Sequence, residues 1–140
     1  MYSLARQMLE SGTDSVRIFL HVLAATIWVG GQLTLAALVP VLRSGGSDLP
    51  HRAAQQFSKV AWSAFAVLVL TGLWNIQATR DEATGAYEDV LVGKLAVVAA
   101  SGLTAWLHGQ AKTRAGLAIF GTLTAITAIG ALFLGVLLGG

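Results

Sequence analysis

The sequence predicts an all-α fold, an integral membrane four-helix bundle with both termini outside the cytoplasm. Three observations lead there. Only 11% of the 140 residues are charged and 55% are hydrophobic, where a soluble domain carries about 25% charged residues. The apolar residues gather in four runs, each near the roughly twenty residues that a helix needs to cross a bilayer. His21, Trp28 and Gln32 inside the first run share one helical stripe. A soluble four-helix bundle would need a polar face on every helix, and the fourth run offers only threonines. The whole chain, 1–140, reads as one transmembrane domain with spans at about 16–41, 57–78, 90–107 and 115–138.

The opening stretch, MYSLARQMLESGTDS, lacks the charged-then-apolar layout of a cleaved signal. Its apolar Tyr2, Leu4, Ala5, Met8 and Leu9 fit a short interfacial helix lying on the membrane surface. The first span follows. At about 100° per residue, His21, Ala25, Trp28, Gln32 and Leu35 share a stripe, with Gly30 and Gly31 beside it. Such a stripe belongs against other helices, not lipid. Pro40 is expected to end the span. Arg43 to Pro50, rich in Gly and Ser, reads as a loop.

The second span opens near Gln55 and carries Asn75 close to its far end. Thr79 to Asp89 is the most charged stretch of the chain and reads as a loop. In the third span Lys94, Ser101 and His108 repeat at sevens and form a second polar stripe. In the fourth, Ala118, Gly121, Ala125 and Ala128 form a small-residue seam of the kind that lets membrane helices approach closely.

Loop charges set the orientation. Arg43, Arg52, Lys59, Lys112 and Arg114 lie on one side, and Arg6, Arg17 and Arg80 on the other. The first side is therefore cytoplasmic. Glu10, Asp14, Asp81, Glu82, Glu88 and Asp89 fall outside, and only Asp48 inside. The expected location is the bacterial inner (plasma) membrane, with the lipid bilayer as partner and contacts to other membrane subunits or a homo-oligomer allowed. Nucleic acid is not expected: the net charge is only +2 and no basic run with aromatics is present. With no cysteine there are no disulfides, thiolate ligands or iron–sulfur clusters. No hydrolase triad, phosphate loop or zinc-type spacing is visible.

Depth decides which polar groups can meet. His21, Asn75 and Lys94 fall in one outer layer, so they form a site if their faces turn inward. Trp28 and Gln32 continue its wall. Intramembrane ionisable groups are costly and tend to be functional, which favours His21 as a ligand over a bundle histidine bonded to a neighbour. Lys94 equally suits a side chain that snorkels to the interface. His108 is a further candidate, but it ends near the cytoplasmic side, roughly 20 Å from the depth of His21. One chain therefore does not clamp a single metal between the two histidines. Trp62, Trp74 and Trp106 read as interfacial belt residues, and His51 as a solvated loop residue. Met1 and Met8 are thioethers on the His21 side, a ligand type suited to Cu(I).

His21, Trp28, Gly30 and Gly31, then Pro40, resemble the opening helix of the copper resistance protein D family. Gln56-Phe57-Ser58 leading through Ala61 to Thr71-Gly72 resembles its second helix, and Gly93-Lys94-Leu95 with Val97 and Val98 its third. The resemblance implies an inner-membrane protein of copper uptake or tolerance. Copper would be held by His21, lined by Trp28 and Gln32, with Asn75 and Lys94 behind. The chain is also similar to the four-helix membrane protoporphyrinogen oxidase family through His21, Trp28, Lys94 and His108. It differs from it at Leu38-Val39-Pro40-Val41, where that family usually carries Leu-Pro-Arg. This second resemblance implies haem b on His21, with Lys94 suited to a propionate. Metal handling is favoured over enzymatic activity. A third reading is a non-catalytic accessory subunit that docks on a larger membrane complex through the span-four seam.

Overall fold

The computed structural model describes residues 2–82 and 84–139, and these form four helical rods with no strand among them. Met1 falls outside the described residues, as do the side chains of Tyr2 and Glu82. The first rod is α1 (Tyr2–Ala25), a π-helical turn (Thr26–Gly30) and α2 (Gly31–Gly45), run together without a break. Then come α3 (Leu49–Ala78), a 3₁₀ turn (Arg80–Glu82), α4 (Gly85–Gln110) and α5 (Arg114–Gly139). Among the described residues, each of the four rods is long and apolar enough to cross a membrane. Leu70, Val92 and Phe133 are among the large apolar side chains turned outward, an arrangement suited to lipid.

The helices run further than the apolar pattern predicts. The N-terminal stretch is not a separate interfacial helix; it is the first turns of α1. Thr13 Oγ1 and Ser15 Oγ donate to the carbonyls of Leu9 (2.9 Å) and Ser11 (2.8 Å), so this polar segment satisfies its hydroxyls within the helix instead of breaking it. Pro40 does not end the first rod either. It gives up only its own i−4 bond, and α2 continues to Gly45. The true stop is Gly46, whose φ of +152° is open to glycine but not to a side-chain-bearing residue. Pro50, read as a loop residue, starts α3. It sits in the first helical turn, where its missing N–H costs nothing.

The rods pack as two hairpins, the first rod against α3 and α4 against α5. They join through Trp28, Val29, Ala61 and Ala128, with Phe57, Phe65 and Ala105 packed against that core. Trp28, Trp62 and Phe65 stack in one aromatic cluster, with ring centroids 4.5 to 5.6 Å apart. Glycines make room for it. The Phe57 ring covers Gly31, and a Cβ on Gly102 would lie 2.7 Å from Phe65 Cζ. The π turn buries the adjacent Trp28 and Val29 together, which a regular helix surface does less readily because neighbours point about 100° apart.

The small-residue seam of α5 is used inside the chain. Ala128 is buried in the core, and Gly121, Gly130 and Gly135 face His108, Val97 and Lys94 of α4. Of the seam residues only Ala118 is exposed. Gly121 and Ala125 are partly covered and Ala128 is buried.

Candidate functional site

The candidate residues lie toward one end of the rods, His21 in the hairpin of α1 with α3 and Lys94 in the hairpin of α4 with α5. α1 presents a buried stripe of Arg17, His21, Ala24 and Trp28 at helical spacing, with His21 half-buried. Its Nδ1 is 2.8 Å from Thr71 Oγ1 of α3. The Thr71 hydroxyl also lies 2.7 Å from Val67 O and 3.2 Å from Leu68 O. Its one hydrogen can serve a carbonyl or the ring, so which atom donates in the His21 pair depends on the imidazole tautomer. Either way the bond orients the ring, as a partner on the second nitrogen does for a ligating histidine.

Lys94 of α4 is half-buried, reaches over Gly135 of α5, and lies within Coulomb range of His21. A Cβ built on Gly135 would be 3.2 Å from Lys94 Nζ, so the absence of a side chain there gives the ammonium its place. His21 thus faces Gly72 of α3, and Lys94 faces Gly135 of α5. Asn75, one turn beyond Thr71 on α3, is half-buried at the same end.

Other expected members stand apart. Trp28 Nε1 donates to Ser101 Oγ at 3.1 Å, fully inside the core. Its polar atom is committed to holding the π turn against α4, about 10 Å along the axis from His21. Gln32 is half-buried and about 16 Å along the helix from His21, too deep to share its ligand. Trp62, read as a belt residue, is 38% exposed but packs edge-on against Trp28. His108 lies about 21 Å from Lys94 along α4. It faces Gly121, and its buried Nδ1 has no partner among the described residues. Met8 is 77% exposed, some 20 Å up α1 from His21.

One residue of the site was not anticipated. Arg17, counted above as an outer loop charge, is buried to 7% exposure one turn outward of His21. Its Nη2 is 3.2 Å from Asp14 Oδ1, whose side chain is 57% exposed, and its Nε is buried with no partner among the described residues. The signal was present in the sequence: Arg17 is His21 minus four, the same stripe carried one turn further.

The candidates at this end are one imidazole, a lysine and an arginine, and no carboxylate is buried among the described residues. No cluster of three or more His, Cys, Asp or Glu occurs among them. Chemically, such a set gives a metal-bearing ligand one coordinate bond and gives its anionic groups two cations. No family model, no curated protein and no solved structure matches the chain.

Proposed function

We propose that this chain is a multi-pass inner-membrane protein, a four-helix bundle with both termini outside, that binds haem b through His21. The observation that carries the reading is a half-buried His21 whose ring is oriented by its Nδ1 bond to Thr71, with a half-buried Lys94 inside another apolar span. His21 would hold a haem through its imidazole and Lys94 would offset the charge of a carboxylate, and the bound group would supply one-electron chemistry.

A bare copper ion fits these residues poorly. Copper centres draw on several imidazole, thiolate or thioether donors. Here the chain brings one imidazole at this end, and the described thioether of Met8 is turns away. No step through copper is therefore drawn.

Loop charge supports the orientation. With Arg17 buried, the outer count falls to Arg6 and Arg80, against Arg43, Arg52, Lys59, Lys112 and Arg114, so five face two.

The test is an absorption spectrum, a pyridine haemochrome assay and copper and iron analysis on the detergent-purified protein. Haem with stoichiometric iron in the wild type, lost in His21→Ala, is the expected result. Stoichiometric copper without haem, or full haem retention in His21→Ala, contradicts the proposal.

A further inference from the structure

We infer that the outer face of α1 pairs with the same face of a second copy of the chain, as a parallel two-stranded coil that begins in the membrane and continues beyond it. The inference does not depend on the haem reading. Ala5, Leu9, Gly12, Val16, Phe19 and Leu23 recur at alternating spacings of four and three. That is the repeat of a left-handed coiled coil. All of them are exposed, Leu9 at 73%, Val16 at 54%, Phe19 at 63% and Leu23 at 45%. They lie on the side of α1 away from Arg17, Ala24 and Trp28, which the chain buries.

Inside the bilayer, lipid covers such a face. Part of it stands outside. The His21–Thr71 bond ties α1 to α3. α3 ends at Ala78, seven residues past Thr71, and Asp14 lies seven residues before His21. α3 therefore stops level with Asp14, roughly 10 Å outward of the bond. Residues 2–13 carry α1 about 18 Å further. Every residue from 3 to 16 is exposed, so no described part of the chain covers Leu4, Met8 and Leu9. A helix this short is marginal in water unless its apolar face is packed, and lipid tails do not reach it.

The occupant has to cross the membrane, project to the same height and bring an uncharged stripe. A second copy does all three. The membrane holds copies side by side in one orientation, so a twofold axis along its normal sets each stripe against its equal at the same depth. Charge does not oppose this: Arg6 pairs with Glu10 at 3.5 Å and Arg17 with Asp14 at 3.2 Å, all off the stripe. Ala5 and Gly12 are small enough for the backbones to approach, and a Cβ on Gly12 would meet nothing within 4 Å in its own chain. With Leu4 (66% exposed) and Met8 (77%) flanking it, the stripe offers about the 800 Å² per partner that a stable interface buries.

The experiment is cysteine cross-linking of the full chain in isolated membranes with diamide, since the chain has no cysteine of its own. Leu9→Cys and Val16→Cys, on the stripe, should give a product of twice the 14.6 kDa chain mass. Ser3→Cys and Gln7→Cys, on the other side of α1, should give about tenfold less, because a disulfide needs Cα atoms within about 7 Å. A second variant tests the packing from a distance. Leu9→Glu lies in the projecting part, where it disturbs no contact within the chain, and should lower cross-linking through Val16→Cys about tenfold by setting two unpaired carboxylates face to face. Equal cross-linking at all four positions, none on the stripe, or a product carrying a different protein overturns the inference. So does Val16→Cys cross-linking that Leu9→Glu leaves unchanged.

Discussion

At the scale of residues, the site depends on one hydroxyl. Thr71 Oγ1 lies 2.8 Å from His21 Nδ1 and 2.7 Å from Val67 O, and the bond to Nδ1 orients the ring. Thr71→Val keeps the shape and removes that partner. Haem affinity should then fall about 10- to 100-fold, read by titration of the apoprotein, with thermal stability little changed; an unaltered affinity would mean that Thr71 does not orient the ring. Ser101 plays the matching part for Trp28. Ser101→Ala leaves the indole N–H buried and unpaired, at about 1–3 kcal/mol, whereas adding Trp28→Phe to it should recover part of the loss because the orphan donor goes too. Thermal unfolding of both variants in detergent checks this. The half-burial of His21 and Lys94 was legible from the sequence because a charge or imidazole inside an apolar run stands out. Arg17 was not, because an arginine near a span end reads as a loop charge until its burial is known.

Helical elements were legible in number and order, less so in length. Apolar periodicity marks what lies in lipid, while α1 and α3 extend into polar sequence on the strength of backbone bonding and capping. The prolines misled for the same reason: Pro40 is tolerated inside a helix and Pro50 starts one. The π turn left no periodic trace, since an inserted residue only shifts the phase of the stripe. The glycines at helix contacts divide sharply. Gly102→Ala would drive a Cβ to 2.7 Å from Phe65 Cζ, whereas Gly93 has nothing within 4 Å of such a Cβ. The first change should destabilise by about 1–3 kcal/mol. Gly93→Ala should be neutral or slightly stabilising, because alanine has the higher helix propensity. Equal melting temperatures for the two variants would contradict the packing of Phe65 over α4.

For the whole molecule, the two hairpins meet around Trp28 with Ala128 in that core, and Gly121, Gly130 and Gly135 of α5 pack on α4. Membrane association was legible from composition alone. The use of the seam was not, since close-packed small residues look the same within a chain and between chains. Orientation has a clean test, because the chain has no cysteine. Single-cysteine variants at Ser47 and Thr84, in the two connections on opposite sides, should label with an impermeant maleimide from the cytoplasmic face and the outer face respectively; the reverse pattern would invert the topology. The most direct test of the central claim is the haem content of wild-type protein beside His21→Ala, both purified from cells supplied with haem precursor. A haem spectrum with one iron per chain in the wild type, abolished in His21→Ala, is the predicted result. Equal haem in both proteins, or copper in place of iron, would contradict His21 as the haem ligand.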